Sequence, residues 1–416
     1  MTERDKKQQE ISEIVLSKVK ENKFIHHSII VATGVGKSKI IIDLIKPLQE
    51  LLKFKKIIIL VDNTRLRDNN WKEDFEKWGF ESIYKDIIEM NTYQTVYKWD
   101  KDLSNYLLIA DEMDFAFTPG YGKVFETYKN CNIIGMTGYV ADSKRDFMNK
   151  YLPCLVEYTQ KQAQEDGILN STPITFVKYD LSKEKNSLVT YGKGSKTFKT
   201  SENISYNYWD KQLRITMGKL TKAKITSDIS DIKKYETFRK LYGAKRAEIL
   251  YNSSASVKLT RRLLDYIHTL DETSKAVIFS KRTAQSSLIT TTTYHGENTK
   301  LINDKNFEDF NKGMVRELGL VDKINRGVNM RNLNFAIFEG YNSSDTILRQ
   351  RLGRLMRLDP EDLATIFIMI PYFMRKTKDG YKQAATAAVK WVNNMLNDWN
   401  LDSSKIWDYR TIKSDL

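Results

Sequence analysis

A strand, loop and helix pattern over residues 28–44 restricts the fold of this chain more than any other feature. An apolar, β-branched run ends at Ala32, and the next residues are Thr33-Gly34-Val35-Gly36-Lys37-Ser38. Glycines let a backbone turn its N–H groups toward a phosphate, and the N-terminus of a helix favours a negative charge. We therefore predict that this loop binds a nucleotide, that Lys37 reaches the β and γ phosphates, and that the Ser38 hydroxyl is a Mg²⁺ ligand.

The loop departs from the general phosphate-binding pattern at one position. That pattern has a glycine five residues before Gly36, where this chain has Val31. An ordinary glycine turn between a strand and a helix is the alternative interpretation. Gly-Lys-Ser at the start of a helix, directly after a buried strand, favours phosphate binding. The residues predicted to surround the nucleotide here are Thr33, Gly34, Val35, Gly36, Lys37 and Ser38.

Short apolar runs separated by helical stretches occur in two blocks. The first block has runs at 28–32, 56–61, 106–110 and 132–136, and the second has runs at 276–280, 334–339 and 365–370. Runs that are apolar throughout predict parallel strands covered on both faces, so we expect two α/β domains. The expected partition is a first domain at 1–150, a linker with an inserted hairpin and helices at 151–273, a second domain at 274–375, and a C-terminal helical extension at 376–416.

Composition is that of a globular protein, with 41% hydrophobic and 29% charged residues in a chain of 416. No apolar run approaches the roughly 18 residues of a membrane span, and no apolar stretch follows the charged N-terminus as it would in a signal peptide. Only Cys131 and Cys154 are present, which argues against a disulfide framework or a zinc site. We expect a protein of the cytoplasm without a membrane partner.

The net charge of +14 would attract a polyanion, and nucleic acid is the commonest one. A lysine-rich solubilising surface gives the same charge. The excess is spread along the chain and not gathered in a basic tail, so charge alone does not decide between the two.

The sequence from Val31 to Ser38 resembles motif I of the superfamily 2 helicases, in which small or apolar residues and a threonine precede the glycines. The resemblance implies two tandem RecA-like domains that use ATP and Mg²⁺. Leu107-Leu108-Ile109-Ala110-Asp111-Glu112-Met113-Asp114 resembles motif II. Asp111 would then hold Mg²⁺ through water, and Glu112 would polarise the attacking water. Carboxylates at a strand end are also typical of a solvated turn or a helix cap.

Thr137-Gly138-Tyr139 follows another strand and resembles motif III, which links the nucleotide state to the domain interface. Together with Asp114, the residues Thr137 and Gly138 are therefore predicted to couple hydrolysis to movement. Near the N-terminus, Gln8 or Gln9 precedes the loop and is a candidate for the adenine-reading glutamine of a Q motif.

Gln350-Arg351-Leu352-Gly353-Arg354-Leu355-Met356-Arg357 resembles motif VI. Arginines three residues apart fall close to one face of a helix, and a guanidinium suits a developing phosphate charge. Arg354 and Arg357 are predicted arginine fingers, and Gln350 and Arg351 are predicted nucleotide contacts. A basic face of a surface helix would fit the spacing but not Gln350 and Gly353.

Upstream of that segment, residues 321–329 resemble motif V, which makes Gly327 and Asn329 candidates for contacts to the nucleotide ribose.

Three segments resemble the motifs that contact a nucleic-acid strand in this superfamily. They supply Thr64 and Arg65 for motif Ia, Thr92 and Gln94 for motif Ib, and Ser280 and Lys281 for motif IV. Hydroxyls and backbone amides at strand ends can hold successive phosphates without reading bases. Threonine and arginine after a strand are also ordinary loop residues, and the order of the segments is what favours the functional interpretation.

Two segments lie outside the resemblance. Residues 190–208 predict a hairpin, in which Lys193, Lys196 and Lys199 stand among Tyr191, Phe198 and Tyr206. Such a hairpin could grip a duplex, separate its strands, or be a solvated loop. Residues 381–399 have apolar residues at helical spacing and predict a C-terminal helix.

The resemblance is to the phage UvsW-type and restriction-motor branch of the superfamily. It implies an ATP-dependent DNA helicase, or a motor that remodels branched DNA, of the kind used in DNA recombination, repair and replication. A double-strand translocase without unwinding, an RNA helicase, and a nucleic-acid clamp without turnover are the alternatives.

Overall fold

The structure is a computed structural model that describes residues 1–61, 71–118, 120–169, 174–185, 187–191, 196–321, 333–340, 364–371, 374–377, 380–383 and 406–408. These residues fall into two compact units, the first containing the described residues up to 169 and the second those from 174 onward. Among the described residues, no helix combines the length and the apolar character that crossing a bilayer requires.

The first unit is built on a six-stranded parallel sheet with the order β3-β2-β4-β5-β1-β6. Its strands are β1 (His26–Val31), β2 (Lys56–Val61), β3 (Ile88–Thr92), β4 (Tyr106–Asp111), β5 (Asn132–Thr137) and β6 (Cys154–Tyr158). Its helices are α1 (Glu3–Asn22), α2 (Lys37–Leu52), α3 (Trp71–Lys77), α4 (Glu81–Ile87), α5 (Tyr93–Val96), α6 (Lys123–Thr127), α7 (Asp142–Tyr151) and α8 (Gln160–Glu165).

Both faces of this sheet are buried, which is why its strands are apolar throughout. Successive side chains of a strand point to opposite faces, and in β2 the residues Ile57 and Ile59 lie in one core while Ile58 and Leu60 lie in the other. Helices α1 and α2 cover the first of these cores. The central strands therefore cannot move without disturbing two packed layers.

The second unit has a seven-stranded parallel sheet with the order β11-β12-β10-β13-β14-β7-β17. The strands are β7 (Ile174–Tyr179), β10 (Ala276–Ser280), β11 (Thr293–Tyr294), β12 (Glu317–Val321), β13 (Phe335–Phe338), β14 (Thr365–Pro371) and β17 (Ile406–Asp408). The helices are α9 (Glu202–Ile225), α10 (Ile229–Tyr251), α11 (Ser254–Leu270), α12 (Thr283–Ile289) and α13 (Lys300–Asn311). The described part of this unit also contains two antiparallel hairpins, β8 (Ser187–Tyr191) with β9 (Lys196–Thr200) and β15 (Met374–Thr377) with β16 (Gly380–Gln383).

The expected class of two α/β domains with parallel sheets is confirmed, but the segment expected to be a linker contributes to both sheets. Cys154–Tyr158 pairs with β1, and Ile174–Tyr179 pairs with β14. The first of these strands lies at a sheet edge, and Glu157 interrupts its apolar pattern. An edge strand needs no apolar side chain on both faces, so the pattern of a buried strand is absent from its sequence.

A hairpin is present as the antiparallel pair Ser187–Tyr191 and Lys196–Thr200, so it begins before the predicted range of 190–208 and ends before Tyr206. Tyr206 is buried in α9 and is not a hairpin residue. At the other end of the chain, residues 380–383 form a strand where the C-terminal helix was predicted to begin. The predicted helix from residue 384 onward lies outside the described residues.

A buried polar cluster lies at the carboxyl ends of the strands in the second unit. Glu339 directly follows β13, is 1% exposed, and accepts a hydrogen bond from the Ser256 hydroxyl. Tyr179 at the end of β7 is also buried. Burial raises the pKa of the Glu339 carboxyl to about 7, although the hydrogen bond from Ser256 acts in the opposite direction. Burial keeps the pKa of Tyr179 above its usual range, so this phenol stays neutral at any ordinary pH.

Glu339→Gln should remove a pH dependence of folding stability. The folded pKa lies above the ordinary value of 4.5, so the folded state holds the proton more tightly than the unfolded state does. The free energy of unfolding should therefore fall as the pH rises from 4.5 to about 7, by a total on the order of 3 kcal/mol. The neutral amide should not show this decrease in urea unfolding measured at pH 5 and pH 8. The exposed control Glu272→Gln should keep it, and the same slope in Glu339→Gln and wild type would contradict the assignment.

Candidate nucleotide-binding site

Three of the predicted motifs meet at one edge of the first sheet. Strands β4, β5 and β1 are neighbours and run parallel, so the segments that follow them leave the sheet on the same side. In an open parallel sheet, ligands bind outside the carboxyl ends of the strands. The phosphate loop follows β1, the acid pair begins at the end of β4, and Thr137 ends β5.

The loop after β1 has the backbone of a phosphate cradle. Gly34 and Gly36 have φ angles of 104° and 105°, a region that side chains rarely occupy. The Val35 amide donates to the Ala32 carbonyl at 3.2 Å, which closes the turn. Helix α2 begins at Lys37, and its N-cap residue, Gly36, makes no side-chain cap hydrogen bond. The N-terminus of a helix that follows a glycine loop favours an anion.

Gln8 lies against this loop. Its side chain is 8% exposed, and Nε2 donates to the Val35 carbonyl at 2.7 Å. A Cβ atom at Gly36 would lie 2.4 Å from the same nitrogen, so the loop and the glutamine fit each other only with glycine there. Gln9 is exposed and donates to Glu13 instead. The structure thus brings Gln8, and not Gln9, to the predicted site.

Gly138 also lies against the loop. A Cβ atom there would be 2.5 Å from the Thr33 hydroxyl and 3.4 Å from the Lys37 ammonium nitrogen. Lys37 itself is 8% exposed, which is unusual for a lysine. The third motif therefore touches the first one.

Thr137 joins the third motif to the acidic residues. Its fully buried hydroxyl lies 3.0 Å from Asp114 Oδ1 and 3.3 Å from Glu112 Oε2. Lys144 of α7 donates to the Asp114 main-chain carbonyl at 2.5 Å and holds this turn from outside. Glu112 has a left-handed backbone with φ 46°, a conformation that residues other than Gly, Asn and Asp rarely adopt.

Asp111 is 9% exposed and accepts hydrogen bonds from two aromatic side chains. The Trp71 indole N–H donates to Oδ2 at 3.0 Å, and the Tyr93 hydroxyl donates to the main-chain carbonyl at 2.9 Å. Neither aromatic residue was predicted as a site residue. A tryptophan or tyrosine in an otherwise polar segment that follows a strand was the available signal, because a buried indole or phenol needs a hydrogen-bond partner.

The residues present fit ATP with Mg²⁺. The glycine cradle, the uncapped α2 and buried Lys37 suit a polyphosphate, while Ser38 and Asp111 offer oxygen ligands of the kind that Mg²⁺ prefers. The described residues contain no cluster of three metal-ligating side chains. Mg²⁺ bound with a nucleotide needs only one or two protein carboxylates, because phosphates and waters supply the other ligands.

The remaining predicted residues differ in their exposure, and several lie outside the described part of the chain. Thr92 and Ser280 are buried, at 7% and 1% exposure, so their hydroxyls are not surface groups. Gln94 and Lys281 are half-buried. The predicted residues that lie outside the described part of the chain are Thr64, Arg65, Gly327, Asn329, Gln350, Arg351, Arg354 and Arg357.

Fold and site together define a tandem pair of α/β domains, the first of which carries a phosphate loop and a paired acid motif. The family model of the Type III restriction enzyme res subunit matches residues 2–142. The model of the helicase conserved C-terminal domain matches residues 258–359. This chain belongs to superfamily 2 of the helicases, whose members are nucleic-acid-dependent ATPases.

Two solved structures with the same fold are distant from this chain in sequence. The helicase domain of Hef from Pyrococcus furiosus is 12% identical with a TM-score of 0.51, over 87% of this chain and 95% of that one. The ATP-dependent Type ISP restriction-modification enzyme LlaBIII, solved bound to DNA, is 14% identical with a TM-score of 0.56. That match covers 94% of this chain but 29% of LlaBIII. No curated protein matches the sequence.

Gly138→Ala should weaken ATP binding. The added methyl group would meet the Thr33 hydroxyl and approach Lys37, and such overpacking costs roughly 1–3 kcal/mol. Titration with a fluorescent ATP analogue would measure the loss of affinity. Gly243→Ala in α10 is the matched control, because a Cβ atom there meets nothing within 4 Å. Equal affinity in both variants would show that the loop does not hold the nucleotide at this position.

Proposed function

We propose that this protein is an ATP-dependent DNA helicase that couples ATP hydrolysis to translocation along DNA and to the unwinding or remodelling of branched DNA. The observation that carries the proposal is the contact among three motifs at one sheet edge. Gly138 lies on the phosphate loop, and Thr137 lies on the acid pair. A nucleotide-binding loop alone would account for binding, whereas this arrangement also accounts for hydrolysis.

Each residue of the site has a distinct task in this proposal. Lys37 binds the β and γ phosphates, and the α2 N-terminus adds its dipole. Glu112 accepts a proton from the attacking water, and Thr137 orients its carboxylate. Asp111 and Ser38 would hold Mg²⁺, which supplies positive charge against the phosphate oxygens when bound. The charge that develops on the γ phosphate is thus met by groups already in place.

DNA as the partner is supported by charge and by similarity. The chain carries a net charge of +14, and affinity for nucleic acid rests largely on such phosphate contacts. The first family model is that of a restriction enzyme subunit, and LlaBIII is a restriction enzyme solved with DNA. Both favour DNA over RNA.

Lys37→Ala should lower the rate of ATP hydrolysis roughly 100-fold or more, since it removes a charge from the transferred phosphate. Hydrolysis should be measured without nucleic acid and with single-stranded DNA, duplex DNA, forked DNA and RNA. Lys39→Ala is the control, because that side chain pairs with Asp43 on the surface of α2. We expect forked DNA to give the strongest stimulation of the wild type and to be unwound in a strand-displacement assay.

The other outcomes distinguish the alternatives. Stimulation by duplex DNA without strand displacement would indicate a translocase that does not unwind. Stimulation by RNA alone would indicate an RNA helicase, and a single turnover per site would indicate a clamp. Stimulated hydrolysis in Lys37→Ala would show that the nucleotide site has been placed wrongly.

The β8–β9 hairpin is a candidate for strand separation. Replacing residues 188–198 with a short Gly/Ser linker should reduce unwinding much more than ATP hydrolysis, because the hairpin is remote in sequence from the motifs of the first unit. The replacement keeps Ser201, whose hydroxyl caps α9. Strand displacement and ATP hydrolysis should be measured on the same preparation. Equal losses of both activities would argue against a wedge.

A further inference from the structure

The two aromatic hydrogen bonds to Asp111 come from two different elements. Trp71 is the first residue of α3, and Tyr93 is the first residue of α5. Trp71 is 2% exposed and Tyr93 is 0% exposed, so water does not compete for either hydrogen bond to Asp111. Asp111 is therefore held at its carboxylate by one element and at its main chain by the other.

Predicted nucleic-acid contacts precede Trp71 and flank Tyr93 in the sequence. Thr64 and Arg65 come before Trp71, at positions outside the described residues. Tyr93 stands between Thr92 and Gln94 in the sequence. A displacement of the start of α3 would move the Trp71 indole that touches the Asp111 carboxylate, and a displacement of the residues beside Tyr93 would move the hydroxyl that touches the Asp111 main chain.

The packing of the two rings means that a movement of the backbone would move each ring with it and would not be absorbed by a change of rotamer. The Trp71 ring lies against Phe75 one turn further along α3, with centroids 5.7 Å apart. The Tyr93 ring lies 6.1 Å from Phe115, in the 3₁₀ turn that follows Asp111 and Glu112. Buried rings in close packing move with their backbones, because they have no space for another rotamer.

We propose that Trp71 and Tyr93 are positioning residues through which a bound nucleic-acid strand orients Asp111, and that the stimulation of ATP hydrolysis by nucleic acid depends on them. The inference rests on the proposed function. The Trp71 bond acts on the direction of the carboxylate, and the Tyr93 bond acts on the position of the strand end that carries it. Nucleic acid would thus control how well the site is arranged and not whether ATP binds.

The test uses two variants that each remove one hydrogen-bond donor. Tyr93→Phe removes a single hydroxyl, and Trp71→Phe removes the indole N–H. The matched controls are Tyr97→Phe and Trp78→Phe, which make the same chemical changes at residues that are 38% and 40% exposed. The full chain is measured in all cases, and thermal unfolding records whether each variant folds.

Two measurements separate positioning from packing. The first is the ratio of ATP hydrolysis with and without saturating single-stranded DNA. Loss of one hydrogen bond should lower this ratio roughly three- to tenfold in Tyr93→Phe and in Trp71→Phe, while both controls keep the wild-type ratio. The second is the binding of a non-hydrolysable fluorescent ATP analogue as a function of Mg²⁺. Trp71→Phe should require more Mg²⁺ for half-maximal binding, because its Asp111 carboxylate has lost a hydrogen bond that orients it.

Several outcomes would overturn the inference. Wild-type stimulation in Tyr93→Phe and Trp71→Phe would do so, as would an equal fall of basal and stimulated hydrolysis together with a lower unfolding temperature. If Trp71→Phe does not fold, Tyr93→Phe decides alone, since it removes one oxygen atom and leaves the ring. A wild-type protein whose ATP hydrolysis is not stimulated by any nucleic acid would instead show that the proposed function is wrong.

Discussion

The parallel pairing of β5 with its two neighbours is the constraint on which the site depends. On one side of β5, Ile30 of β1 pairs with Thr137, and on the other side Asp111 of β4 pairs with Met136. These registers place the end of β5 between the phosphate loop and the acid pair. Thr137 and Gly138 can then touch both, and a shift of one residue in either pairing would turn the Thr137 hydroxyl to the opposite face of the sheet.

The polar residues at this edge of the sheet are buried. Lys37, Asp111, Asp114 and Thr137 are each less than one-tenth exposed, so their mutual orientation is fixed before any ligand arrives. Electrostatic contacts are stronger in such surroundings than in water, and no reorganisation is needed at the moment of reaction. Helix α1 contributes to the same rigidity from outside the sheet, because Ile11, Val15 and Val19 anchor the segment that carries Gln8.

The sequence predicted the parts of the fold that obey a strong local rule. Apolar runs such as 56–61 and 276–280 have the same ends in the structure as in the prediction. Edge strands such as β6 were not predicted, because some of their residues face the core and others face solvent, so the apolar pattern is interrupted. The contacts of Trp71 and Tyr93 with Asp111 could not be foreseen either, since they join residues 40 and 18 positions apart that only the strand order brings together. Gln8 could be chosen over Gln9 only when the side of α1 that faces the loop was known.

The left-handed backbone at Glu112 sets the stability of the fold against the chemistry proposed for this residue. A glutamate in that conformation destabilises the fold by roughly 1–2 kcal/mol relative to glycine, which adopts it without strain. Under the proposed function its carboxylate accepts the proton of the attacking water, a task that glycine cannot perform. A chain with glycine at this position would therefore be more stable but unable to hydrolyse ATP through this residue.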